Sequence, residues 1–123
     1  MADAWPKFYI LLDKTPMAVD METWGRWFEK NDRFVAQTMV GKKVRVSTVF
    51  LGLDHCHSRF LPGHENDPPL IFETMVFGGP MAGWMDRYST WAEAERGHTE
   101  IVAEVRKAVA QIDAMKKGAK ADG

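Results

Sequence analysis

The 123-residue sequence predicts an α+β domain: an antiparallel sheet of four to five strands with a long C-terminal helix and a short Trp-containing helix packed on it. Three observations carry this fold class. Short runs of apolar, β-branched and aromatic residues recur from Lys7 to Ser89, divided by turn residues. Gly41-Lys42 joins two of these runs at hairpin distance. From Thr90 onward the apolar residues instead recur three and four apart, the spacing of one helix face.

Taken in chain order, Lys7 to Leu12 (KFYILL) reads as a strand, Asp13-Lys14-Thr15-Pro16 as a turn, and Met17 to Val19 as a brief returning strand. Asp20 is placed to cap a helix that starts at Met21. Met21, Trp24 and Phe28 then share a helical face with Trp27 beside them, so the aromatics are expected to pack on a sheet; the alternative is a ligand-stacking patch. Lys30, Asn31 and Asp32 end this helix. Phe34 to Val40 and Lys43 to Asp54 follow as a hairpin about a two-residue turn, with Gly41 supplying the positive φ. Val44, Val46, Thr48 and Phe50 fall on one face of the second strand. Arg45 and Ser47 open the other face, which turns apolar at Val49, Leu51 and Leu53, so this strand is expected to be central.

Residues 54–69 form a long loop, Leu70 to Phe77 the next strand, and Gly78-Gly79-Pro80 its break. Asp86 to Ser89 reads as a last short strand. Thr90 and Glu93 fit a capping box. The helix they open runs to about Met115 or Lys116, with Trp91, Ala94, His98, Ile101, Val105, Ala108, Ile112 and Met115 along one seam. Gly97 inside it costs roughly 1 kcal/mol relative to Ala. Such a helix approaches ~40 Å at about 1.5 Å per residue. A domain of this length has a radius of gyration near ~14 Å. One end therefore overhangs, and a second copy covering its apolar seam predicts a homodimer. The domain is expected to span 1–117, with 118–123 a flexible tail.

With 16 Lys and Arg against 17 Asp and Glu, the net charge of -1 argues against a nucleic-acid coat or a polybasic membrane binder. No apolar run is long enough to cross a membrane. The opening Met-Ala-Asp-Ala-Trp-Pro-Lys lacks the pattern of a secretory signal, and the single cysteine, Cys56, excludes an intramolecular disulfide. A cytoplasmic protein is expected, with no membrane contact and no direct contact with nucleic acid. GxGxxG, P-loop and GxSxG patterns are absent, so no cofactor and no catalytic residue is assigned.

Three groups of residues are candidates for function. His55, His57 and His64 sit in one loop with Cys56 and Glu65, a weak transition-metal pattern because residues 55 and 57 of an extended chain face opposite ways. Arg45 and Glu73 interrupt apolar strands and are expected to pair across the sheet if those strands are neighbours. The functional alternative makes Arg45, Ser47, Asp54, His55, Glu73 and Thr74 the polar lining of a ligand pocket, with His55 and a carboxylate suited to acid–base work. His98, alone on the helix seam, is expected to be a hydrogen-bonded core residue. Met81, Trp84 and Met85 belong to no clear element and, with Val105 and Ile112, are the expected interface.

Three blocks, VSTVFLGLDH at 46–55, PLIFETMVFGG at 69–79 and RYSTWAEAERGH at 87–98, together resemble a family of small uncharacterised bacteriophage and prophage proteins. The Trp24/Trp27 helix resembles that family's usual opening. The stretch from His57 to Asp67 departs from it, since the family pattern carries a shorter Gly-rich segment there. The resemblance brings no catalytic or binding residues with it. It implies a non-enzymatic binding protein that acts on a host or anti-phage-defence component, either a protein or a small signalling molecule. Two other functions stay open: a metal- or small-molecule-dependent hydrolase around Asp54, His55 and Glu73, and a virion assembly accessory.

Overall fold

A computed structural model describes residues 8–122. Lys7, expected to open the first strand, the opening segment read against a secretory signal, and Gly123 lie outside the described residues. The elements run β1 (Phe8–Leu12), β2 (Thr15–Val19), α1 (Met21–Lys30), β3 (Phe34–Val40), β4 (Val44–Phe50), a 3-10 turn (His57–Phe60), β5 (Phe72–Phe77), β6 (Met85–Tyr88) and α2 (Trp91–Asp122). The α+β architecture is the one the sequence predicts, but its strands form two sheets. β3-β4-β5-β6 is a four-stranded antiparallel meander, and β1-β2 is a separate hairpin. A single bridge, Phe8 to Leu53, and a 2.8 Å bond from Tyr9 N–H to the Gly52 carbonyl tie that hairpin to the end of β4.

The differences in boundaries have local causes. Val40 pairs with Val44, so the β3-β4 turn holds three residues where two were expected. That register puts Val40 and Val44 together among the buried residues under α2, and the burial of one sheet face is what selects it. β4 stops at Phe50 because Gly52 turns at φ +70°. A Cβ at Gly52 would stand 2.4 Å from the Phe28 ring and 2.7 Å from the Trp24 indole nitrogen, so no other residue fits. β2 is longer than expected and accommodates Pro16, which has no N–H to give and sits on a two-stranded edge.

The caps are in place. Thr23 N–H donates to Asp20 Oδ1 at 2.7 Å to start α1. Glu93 N–H donates to Thr90 Oγ1 at 3.1 Å to start α2, and the Thr90 hydroxyl donates to the Glu93 carboxylate at 2.9 Å. α2 continues to Asp122, beyond the expected end near 116. At about 1.5 Å per residue it exceeds the length of any strand here about twofold. Its side chains are buried at Ala94, His98, Ile101, Val102 and Val105 and exposed from Ala110 to Gly118, so the C-terminal part does overhang. Gly97 is where α2 crosses Tyr88: a Cβ there would lie 2.3 Å from the phenol oxygen.

The core has two parts, both on the α2 side of the sheet. Val40, Val44, Val46 and Val76 meet Ile101, Val102 and Val105. Tyr9, Phe50, Ile71, Phe72 and Ala94 form the second part, with Trp27, Phe28 and Trp91 packed around them. The α1 aromatics pack half-buried against this core, Trp27 meeting Phe50 edge-on at 5.7 Å and Phe28 stacking on it at 6.0 Å, while Met21, expected on the same face, is exposed. Among the described residues, no helix is long and apolar enough to cross a membrane.

Candidate functional site

Side chains alternate across a strand, so the register assigns every strand residue to one of two faces. Thr48, Phe50, Phe72, Thr74 and Val76 point toward α2. Arg45, Ser47, Val49, Glu73, Met75 and Phe77 point the other way. Among the described residues no helix packs on this second face. There Arg33, Phe34, Gln37, Arg45, Ser47 and Glu73, with the apolar Val49, Leu51, Met75 and Phe77, surround a shallow depression of about 320 Å³. A bulge in β3 between Phe34 and Ala36 shapes its rim: Phe34 stays on the open face, while Val35 packs into the aromatic core.

The six residues proposed as a polar pocket are divided by this geometry. Arg45, Ser47 and Glu73 come together in the depression. Thr74 does not, because it is fully buried under α2, where its hydroxyl meets that of Thr48. Asp54 is spent on the loop that follows it. It is ion-paired with Arg59, both side chains being almost fully buried, and its other oxygen accepts from Cys56 N–H at 2.8 Å and Leu70 N–H at 3.1 Å. His55 lies within electrostatic reach of Glu73 and Arg87. Its pKa is lowered from the usual histidine value, first by burial and then by the Arg87 charge, and its ring makes no hydrogen bond among the described residues.

The expected Arg45–Glu73 pair does not form. β4 and β5 are neighbours, but Arg45 stands opposite Phe77, and Glu73 stands opposite Val49 and, on its other side, Arg87. The guanidinium of Arg45 lies 4.5 Å from the centre of the Phe77 ring. Glu73 accepts from Arg87 Nε at 3.1 Å instead. Sequence alternation placed the two charges on one face correctly; the pairing depends on where along the strands they meet.

The His-rich loop is held by its own carboxylates. Asp67 accepts from Ser58 Oγ at 2.6 Å and lies 3.1 Å from His64 Nδ1, and its backbone carbonyl accepts from Arg59 at 3.0 Å. His57 is exposed. Among the described residues there is no group of three His, Cys, Asp or Glu side chains placed to hold a metal ion.

His98 is a core residue with both ring nitrogens occupied. Thr38 Oγ1 lies 2.8 Å from Nε2 and Thr48 Oγ1 lies 2.7 Å from Nδ1, and burial holds its pKa below the usual histidine value. The expected Trp/Met interface is also divided. Met81 and Trp84 pack against the valine core beside α2, whereas Met85, one position past Trp84, points to the open face opposite Met75. Val105 is fully buried and Ile112 exposed.

Sequence reasoning missed Arg33, Phe34, Gln37, Met75 and Phe77. Gln37, Met75 and Phe77 carried a usable signal, since strict alternation from Ser47 and Glu73 puts them on the same face once the strand order is known. Arg33 precedes β3 and carried none. Compared with known protein families, curated proteins and solved structures, the chain matches none.

Proposed function

We propose that this is a non-enzymatic binding protein that acts on a host or anti-phage-defence component, and that it does so through the open face of its four-stranded sheet. The observation that carries the reading is the asymmetry of that sheet. One face is closed by α2, while Phe34, Met39, Phe77 and Met85 leave the other face 51%, 55%, 41% and 42% exposed at those positions. A cluster of large apolar side chains around a depression is the usual mark of a binding surface. The two carboxylates that a hydrolase at Asp54, His55 and Glu73 would need are taken up by Arg59 and Arg87, which favours binding over turnover. The phage setting rests on the resemblance of the three sequence blocks.

The test uses Phe34→Asp and Met85→Asp, two charge insertions at exposed positions. A phage lacking this protein is expected to plate poorly on a defended host and to be rescued by the wild-type chain but not by either variant. Equal plating with and without the protein on every defended host overturns the reading, as does full rescue by both variants.

The overhanging end of α2 supports a second proposal. Ile112 and Met115 continue the helix seam past the last sheet contact and are exposed, which favours a homodimer paired along this segment. Sedimentation equilibrium of Ile112→Glu/Met115→Glu is expected to give a monomer where the wild type gives a dimer.

A further inference from the structure

Resting on the open face as the binding face, we infer that its depression takes a small anion of the nucleotide class, with the base on the apolar floor and phosphate on a guanidinium group at the end of that floor. The charged groups of the depression that have no ion-pair partner among the described residues are donors. Arg33 and Arg45 both line it, and neither has a carboxylate partner among the described residues. The one carboxylate lining the depression, Glu73, is neutralised by Arg87. Ser47 is 7% exposed, and its oxygen accepts from Gln37 Nε2 at 3.1 Å. The hydroxyl proton of Ser47 has no acceptor among the described residues, leaving a buried donor beside the depression. Two uncompensated positive charges with a buried hydroxyl donor favour an anion over a cation or a neutral sugar.

The rest of the surface sets the shape of that anion. Val49, Met75 and Phe77 supply an apolar floor that a bare phosphate would leave empty. The Arg45 guanidinium lies 4.5 Å from the centre of the Phe77 ring, and its planar fork suits a two-pronged bond to phosphate. Arg45 lies at one end of the floor and Arg33, whose backbone carbonyl accepts from Phe50 N–H at 2.7 Å, at the other. A volume of about 320 Å³ lies at the small end of ligand pockets, where a ring system with attached phosphate fits and a folded protein element does not.

Isothermal titration of the full chain at low salt tests this with common ribonucleoside triphosphates, the matching nucleosides and inorganic pyrophosphate. At least one triphosphate is expected to bind about tenfold tighter than its nucleoside and about tenfold tighter than pyrophosphate. Arg45→Ala and Ser47→Ala are expected to weaken it about tenfold and about threefold, with unchanged circular dichroism, while Lys107→Ala on the far side of α2 leaves it unchanged. No binding by any triphosphate overturns the ligand class. So does binding matched by the nucleoside or by pyrophosphate, or binding indifferent to both Arg45→Ala and Arg33→Ala. If the ligand class fails while Phe34→Asp and Met85→Asp still abolish rescue, the open face stands as the binding face for another occupant. If those two variants rescue fully, the face itself is overturned.

Discussion

On the α2 side of the sheet, Val46, Thr48, Phe50, Phe72, Thr74 and Val76 are at most 1% exposed. On the other face of the same sheet, Phe34 and Met39 of β3, Phe77 of β5 and Met85 of β6 are 41–55% exposed. Both faces carry large apolar side chains, so apolar composition does not by itself make one face a core. α2 does: its seam from Ala94 to Val105 lies against one face only. A sheet with a purely solvated second face alternates apolar with polar residues. Here, among the described residues, the second face keeps its apolar residues without a helix over them and places two arginines with no carboxylate partner among them. The difference separates side chains that hold the fold from side chains free to hold something else.

Substitutions on the two faces should therefore differ most. Phe72→Ala is expected to cost about 3–5 kcal/mol in urea unfolding, from lost burial plus the cavity it leaves. A cost near that of an exposed site would break the contrast between the faces. Asp54→Ala is expected to be about as severe, at roughly 3–5 kcal/mol, because it removes the buried carboxylate that pairs with the buried Arg59 charge. Thermal melting of Asp54→Ala against Glu22→Ala, whose partner Arg26 is exposed, sharpens the distinction between buried and solvated pairs.

The closed face also carries a pH dependence. His98 has a folded-state pKa below its unfolded value of about 6.5, so the unfolded chain binds the proton more readily. Stability is thus fully present above about pH 6.5 and falls as the pH drops from there toward the folded-state pKa. His55, shifted in the same direction, adds a loss of the same sign. His98→Gln is expected to flatten most of the decline in melting temperature between neutral and mildly acidic pH. An unchanged slope would assign the decline to other groups. Thr90→Ala removes the α2 cap and should cost about 1 kcal/mol. The smallest effect is expected at Phe77→Ala on the open face, within about 0.5 kcal/mol by urea unfolding. A loss of several kcal/mol there would mean that this face supports the fold as well.

Much of the fold was legible. The α1 and α2 caps, the α1 aromatic stripe and the alternation Val44-Val46-Thr48-Phe50 rest on neighbours within a few residues, where backbone sterics and burial period act directly. His98 was legible as a hydrogen-bonded core residue because a polar group on an apolar seam must find partners. The site was less so. Arg45, Ser47 and Glu73 were placed on a common surface, but Thr74 was drawn in beside Glu73 although adjacent strand residues face opposite ways. Trp84 and Met85 were grouped by adjacency and are divided by the same rule.

By itself the sequence determined the order of elements, their amphipathic faces and the helix starts, all of which follow from local spacing and capping chemistry. Only the tertiary structure decided that β1-β2 stays apart from the main sheet, that Glu73 pairs with Arg87 rather than Arg45, and that α2 closes a single face. Those outcomes depend on register and docking between segments far apart in the chain. A shift of one or two residues there trades one partner for another without changing any local pattern.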